Sequence, residues 1–303
     1  MSRMSLKERM SGGIFLLDGA MGTQLIARGI EVGKCNDYLN VESPDVVSDI
    51  HRSYFEAGSD GVLTNTFGAN KYALGRHRLE EEVAKINSAG ARIARKAGGQ
   101  EKYVLGDIGP SGDFLEPLGS LKPEELKEAF VRQAKVLLDG GVDGFIIETM
   151  TALDEVTIAI EAVKSVGGAV PVLASMSFDR AGDDFKTMMG VDVETAVAKI
   201  VSLDVDAVGF NCGTVSLDEY IELAEKFVSA VQALSADVIV YAEPNAGKPE
   251  LVEDQAVYKV SPEDFAAAVE KIHSTGVSII GGCCGTGPAH IAAIRKKLRA
   301  VNV

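Results

Sequence analysis

Eight short apolar runs recur along this chain of 303 residues, each followed by a turn rich in Gly, Asp, Asn or Ser and then by a segment of helical periodicity. The runs are Ile14 to Leu17, Gly61 to Thr66, Tyr103 to Gly106, Gly144 to Ile147, Val172 to Ser175, Ala207 to Phe210, Val238 to Tyr241 and Ser278 to Ile280. Near-continuous hydrophobicity marks strands buried on both faces, a property of parallel sheets. The crossovers read as helices. Pro123 to Asp139 opens with Pro-Glu-Glu and closes on Gly-Gly; Pro262 to His273 has Ser261 as N-cap and Gly276 just past its end. Eight βα units in succession predict an α/β fold, a (β/α)8 TIM barrel. A doubly wound sheet rarely needs eight regular units, and no Gly-x-Gly-x-x-Gly follows the first run. No linker, low-complexity tract or composition shift divides the chain, so residues 1–303 are expected to form a single domain.

Charge narrows the function classes. Lys and Arg number 30 against 44 Asp and Glu, a net charge of −14, which repels a phosphate backbone. The densest basic stretch, Arg295, Lys296, Lys297 and Arg299, reads as the solvated last turn of a helix, so no nucleic-acid partner is expected. No apolar run approaches the roughly 18 to 20 residues of a membrane helix, and no secretory segment is visible. The expectation is a cytoplasmic protein, without membrane association, whose four cysteines are reduced.

In a barrel of this kind the working side chains follow the strands at their C-terminal ends. Here those are Asp18, Asn65, Asp107, Glu148, Ser177, Cys212, Glu243 with Asn245, and Cys283 with Cys284. Asp, Asn and Ser also occur in turns for local reasons, so no one of them is diagnostic. The cysteines say more. Cys212 ends the sixth run and Cys283 and Cys284 the eighth, and the barrel brings such ends together. Three thiolates with an open fourth position would suit a catalytic zinc ion. Flanking glycines would let both adjacent side chains reach one ion. Buried free cysteines or a vicinal disulfide are the alternatives, and Gly281 to Gly287 ahead of a helix could instead cradle a phosphate. Cys35 has no partner in this pattern, and His290, early in the last helix, reads as a capping or packing residue. Asp18 and Glu148 could serve acid/base chemistry, a metal or a substrate ammonium. Beside a net-negative metal centre the ammonium role is favoured.

The ordered stretches Leu17-Asp18-Gly19-Ala20-Met21-Gly22-Thr23, Thr64-Asn65-Thr66-Phe67-Gly68-Ala69-Asn70, Gly106-Asp107-Ile108-Gly109-Pro110, Glu148-Thr149-Met150, Asn211-Cys212, Glu243-Pro244-Asn245-Ala246-Gly247-Lys248-Pro249 and Gly281-Gly282-Cys283-Cys284-Gly285-Thr286 add a further layer. Through them, and along nearly its whole length, the chain resembles the homocysteine S-methyltransferase family. Within it the similarity is greatest to the homocysteine-binding barrels of cobalamin-dependent methionine synthases. The resemblance implies zinc on Cys212, Cys283 and Cys284, with Asn245 as a weaker ligand and the homocysteine sulfur in the fourth position. It also implies that Asp18 and Glu148, with backbone groups at Gly19 and Ala20, hold the amino acid end; Asn65 and Ser177 are proposed from position alone.

The expected reaction is methyl transfer from methylcobalamin, carried by a corrinoid protein or cobalamin domain, to homocysteine, giving methionine. Two alternatives keep the zinc thiolate. One draws the methyl from a sulfonium or betaine donor, and the other gives it to a different thiol, because Gly213-Thr214-Val215-Ser216 departs from the pattern of close methionine synthases. A third reading makes zinc a structural staple between strands six and eight. Nothing in the helix patterns identifies an oligomeric face.

Overall fold

The inward faces of the apolar runs meet around one axis. The computed structural model describes residues 3–167, 170–252 and 255–301. Eight strands, β1 (Phe15–Leu16), β2 (Gly61–Leu63), β3 (Tyr103–Ile108), β4 (Gly144–Met150), β5 (Val172–Met176), β6 (Ala207–Asn211), β7 (Ile239–Glu243) and β8 (Ile279–Ile280), form one sheet. Every ladder in it is parallel, and β1 pairs with β8, so the sheet curls into a nearly closed (β/α)8 TIM barrel.

Eight helices surround it: α1 (Pro44–Ala57), α2 (Val83–Gly98), α3 (Pro123–Asp139), α4 (Leu153–Ser165), α5 (Val193–Val201), α6 (Leu217–Ala233), α7 (Pro262–Ser274) and α8 (Pro288–Val301). Local chemistry sets their ends. Ser216 and Glu219 form a capping box at α6, Ser261 caps α7 as expected, and Pro123 and Pro262 stand in the first turns of α3 and α7. Among the described residues no helix is long and apolar enough to cross a membrane.

Strand alternation sorts the core into two layers. Outward residues such as Leu16, Val104, Phe145, Val208 and Ile280 pack under the helices. Inward ones, Phe15, Leu17, Tyr103, Leu105, Ile146, Leu173, Tyr241 and Ile279, fill the barrel, and Leu6 and Met10 of the helix Leu6–Ser11 close its lower end.

The seam between β1 and β2 has no regular ladder. Side chains close it instead. The Leu16 N–H donates to the Asp60 carboxylate at 2.9 Å and the Asp60 N–H to the Leu16 carbonyl at 2.7 Å. Higher up, the Leu63 N–H donates to both oxygens of Asp18 at 3.2 Å.

Several strands run further than their apolar stretches. β3 continues through Asp107 to Ile108 and β7 to Glu243, because these acids hold the inward alternation while the backbone stays in the sheet. β2 is shorter than expected and stops at Leu63. Two antiparallel hairpins, Asp179–Ala181 with Asp184–Lys186 and Glu250–Val252 with Gln255–Val257, follow β5 and β7 and had no clear signal in the sequence.

Candidate metal and substrate site

At the C-terminal mouth a cavity of about 410 Å3 is lined by Asp18, Gly19, Ala20, Asn65, Asp107, Glu148, Cys212, Glu243, Cys283 and Cys284, among others. The Sγ atoms of Cys212, Cys283 and Cys284 lie within 4.8 Å of one another, with Cys283 and Cys284 at 4.0 Å. A tetrahedral zinc with zinc–sulfur bonds of about 2.3 Å spaces its sulfurs by about 3.8 Å, so the trio fits such an ion with small side-chain rotations.

The backbone around these residues is bent to present them. Cys212 is a non-glycine residue in the left-handed region, with φ of +57°. The Tyr220 hydroxyl of α6 donates to its carbonyl at 2.6 Å and accepts the Asn245 N–H at 3.2 Å, tying the end of β6 to the loop after β7. On the other side, Gly285 takes φ of +81° just after the cysteine pair. At Gly281 a Cβ would sit 2.9 Å from both Glu243 and Leu17, so only glycine lets this turn pass so close. The phosphate cradle finds no support, because the N–H groups it requires are engaged: Gly282 with Asp18 at 2.9 Å, Cys283 with Pro244 at 2.9 Å, Gly285 with Thr23 at 3.0 Å and Gly287 with His290 at 3.2 Å.

Electrostatics sets the demand on a ligand. Hydrogen bonds from Cys212 and Cys283 hold the Cys284 thiol down to about 3, whereas hydrogen bonding with its two neighbours and burial push Cys283 well above its ordinary value. Ionisation of one thiol is thus favoured at the expense of its neighbours, and ionising all three requires a cation among them. Burial raises Glu148 to about 7, with the charge of Cys212 adding to it. It also raises Asp18, Asp107 and Glu243 well above the carboxylate range, and the nearby charge of Glu148 reinforces each. Among the described residues no Lys, Arg or His lines the cavity.

The other expected residues fall into place unevenly. Asn65 lines the cavity, but its amide nitrogen is committed to the Asn36 carbonyl at 2.8 Å and to Asn40 at 3.1 Å. The Ala20 N–H is already paired with Thr286 at 3.1 Å. Asn245 stands beside the trio rather than on the cavity wall. Its Nδ2 donates to the Gly213 carbonyl at 2.7 Å and lies 4.0 Å from Cys212 Sγ, while its buried Oδ1 has no protein partner and is the atom available to a cation. Ser177 is not brought to the cavity: β5 ends at Met176, and the Ser177 N–H pairs with the Met150 carbonyl at 2.9 Å. Cys35 is half-buried beside Asp37, apart from the trio. His290 bridges Gly287 and the Val260 carbonyl.

The set of strand-end candidates left out Asn211 and Ser175, and it gave no role to Asp107 or Glu243. Their signal was the period of two: counting inward from Ile146, Leu173 and Tyr241 places Glu148, Ser175 and Glu243 on the same wall.

Known proteins resemble this chain along nearly all of its length. The homocysteine S-methyltransferase profile matches residues 15–298, and the chain belongs to that family. It is 34% identical over 310 residues to a methionine synthase of Mycobacterium tuberculosis and 33% identical over 318 residues to one of Mycobacterium leprae. These alignments cover 95% and 98% of this chain but 25% of each relative, so the chain spans about a quarter of their length. In fold it is similar to the metallated form of the Escherichia coli homocysteine methyltransferase MmuM, with a TM-score of 0.77 and 23% identity, covering 96% of this chain and 99% of that one.

Proposed function

We propose that the barrel transfers a methyl group from methylcobalamin, carried by a partner corrinoid protein or cobalamin domain, to the sulfur of homocysteine, giving methionine. Cys212, Cys283 and Cys284 would hold zinc, with Asn245 Oδ1 as the weaker ligand that the substrate sulfur replaces. When bound, zinc supplies the Lewis acidity that keeps the acceptor sulfur ionised at neutral pH, where a free thiol with a pKa of about 8.5 is mostly protonated. The observation that carries this reading is the pairing of three thiols within 4.8 Å with a cavity whose charged lining is wholly acidic. Such a pocket asks for two cations, a soft divalent metal at the thiols and an ammonium group at the carboxylates.

The chain's own work is positional. Asp18 and Glu148 receive the amino group and fix the amino acid end, with the backbone at Gly19 and Ala20 beside it. The acceptor sulfur is thereby directed to the cysteines and out toward the mouth, where the donor arrives. No side-chain base is required for the transfer. The methionine synthase relatives are about four times as long as the stretch they share with this chain, which supports a donor presented by another protein or domain. Reduced cysteines suit a cytoplasmic setting.

The test is methionine formation from homocysteine and free methylcobalamin by the zinc-loaded protein. It is expected to proceed, and Cys283→Ala is expected to abolish both turnover and zinc retention. Methylation from a sulfonium or betaine compound but not from methylcobalamin would overturn the donor, and methylation of another thiol in preference would overturn the acceptor.

A further inference from the structure

Asn211, the last residue of β6, is fully buried and immediately precedes Cys212. Its amide oxygen accepts two hydrogen bonds, from the Thr149 N–H at 2.8 Å and from the Ser175 hydroxyl at 2.7 Å. A backbone N–H can only donate, so this contact fixes which end of the amide is oxygen. The nitrogen must then face the other way. It donates to the Glu148 carboxylate and to the Thr149 hydroxyl at 2.7 Å, and stands 3.9 Å from the Cys283 Sγ.

Thr149 shows why this grip matters. It follows Glu148 directly, takes a left-handed φ of +60°, and sits where the register of β4 with β5 shifts between Ile147 and Met150. Asn211 holds both the N–H and the hydroxyl of this strained residue while also holding the Glu148 side chain. One amide therefore joins Asp107 and the Thr149 hydroxyl in setting the direction of the carboxylate, and alone of the three also touches a thiol of the cysteine trio. The adjacent Cys212 shares its backbone.

We propose that Asn211 is a positioning residue that confers specificity: it aims Glu148 at the substrate amino group at a fixed offset from the cysteine trio, so that the site prefers amino acid thiols to simple thiols. This inference rests on the homocysteine reading above. Neither aspartate nor alanine could replace it. Aspartate would set a carboxylate against Glu148, and alanine would leave the Thr149 N–H without its partner and Glu148 with only Asp107 and the Thr149 hydroxyl to orient it.

The test uses the full chain loaded with cobalt(II) in place of zinc, and reads the sulfur-to-cobalt charge-transfer absorption during titration with homocysteine or with 4-mercaptobutyrate, which lacks the amino group. The wild type is expected to bind homocysteine at least about tenfold more tightly, as loss of a charged hydrogen-bonding partner implies. In Asn211→Ala, and in Asn211→Ser as the milder variant, that preference is expected to collapse through weaker homocysteine binding with 4-mercaptobutyrate unchanged. In a Glu148→Gln background the same substitution is expected to add nothing. Equal weakening of both thiols, an unchanged preference, or full additivity with Glu148→Gln would overturn the role given to Asn211. A wild type whose cobalt spectrum responds to neither thiol would overturn the homocysteine reading itself, and the role of Asn211 with it.

Discussion

His51 lies wholly buried on α1, and neither of its ring nitrogens has a protein partner. Burial lowers its pKa to about 4 from an ordinary 6.5, so the fold holds it neutral. Below pH 6.5 the unfolded chain takes up a proton that the folded chain refuses until about pH 4, and stability falls as pH falls through that window. At pH 5 the loss is roughly 2 kcal/mol relative to pH 8. His51→Leu, similar in size and without the unpaired nitrogens, is expected to remove this loss, seen as urea midpoints that converge at pH 8 and separate at pH 5. At this same scale the sequence was legible where chemistry is rare and opaque where it is common. Three cysteines at strand ends, each in a stretch that carries glycine, stand out in any chain. Asp107 and Glu243 were placed at strand ends without a role and Asn211 was passed over, because acids and amides there are also ordinary turn residues, and the closed barrel is what gives the period of two its inward side.

Among the elements, the barrel depends most on side chains at the seam between β1 and β2. Asp60 bonds Leu16 through both its backbone and its carboxylate, and the carboxylate also pairs with Arg295 at 2.7 Å and Arg9 at 3.0 Å. Asp60→Ala leaves the Leu16 N–H without its acceptor and takes the counter-charge from Arg9 and Arg295, which keep only the Ile14 and Gly58 carbonyls, and is expected to cost about 1 to 3 kcal/mol. Hydrogen exchange should accelerate first at Leu16 and Val62, with the ladders from β3 to β7 still protected. Uniform acceleration would show that the seam is not a separate weak point. Each of the eight apolar runs contained or overlapped a strand, because burial on both faces leaves an unmistakable apolar signature. Their ends were harder to read, since a strand that carries Asp107 or Glu243 into a cavity looks polar before it stops being a strand. The hairpins after β5 and β7 are built from strands of three residues, too short to leave an apolar run in the sequence.

For the molecule as a whole, the eight strands are joined by ladders and the β1–β2 bonds without calling on the cysteines. The site is therefore preformed, and a chelator is expected to remove the metal while leaving the circular dichroism spectrum unchanged and the melting temperature only modestly lower. Cooperative unfolding on chelation would instead favour the structural staple. The proposed function has the acidic, thiol-bearing mouth bind an amino acid thiol and offer it outward. The most direct measurement is X-ray absorption at the zinc edge during titration with homocysteine. A change from three sulfur ligands to four is expected; zinc present at one per chain with no sulfur gained would contradict homocysteine as the acceptor.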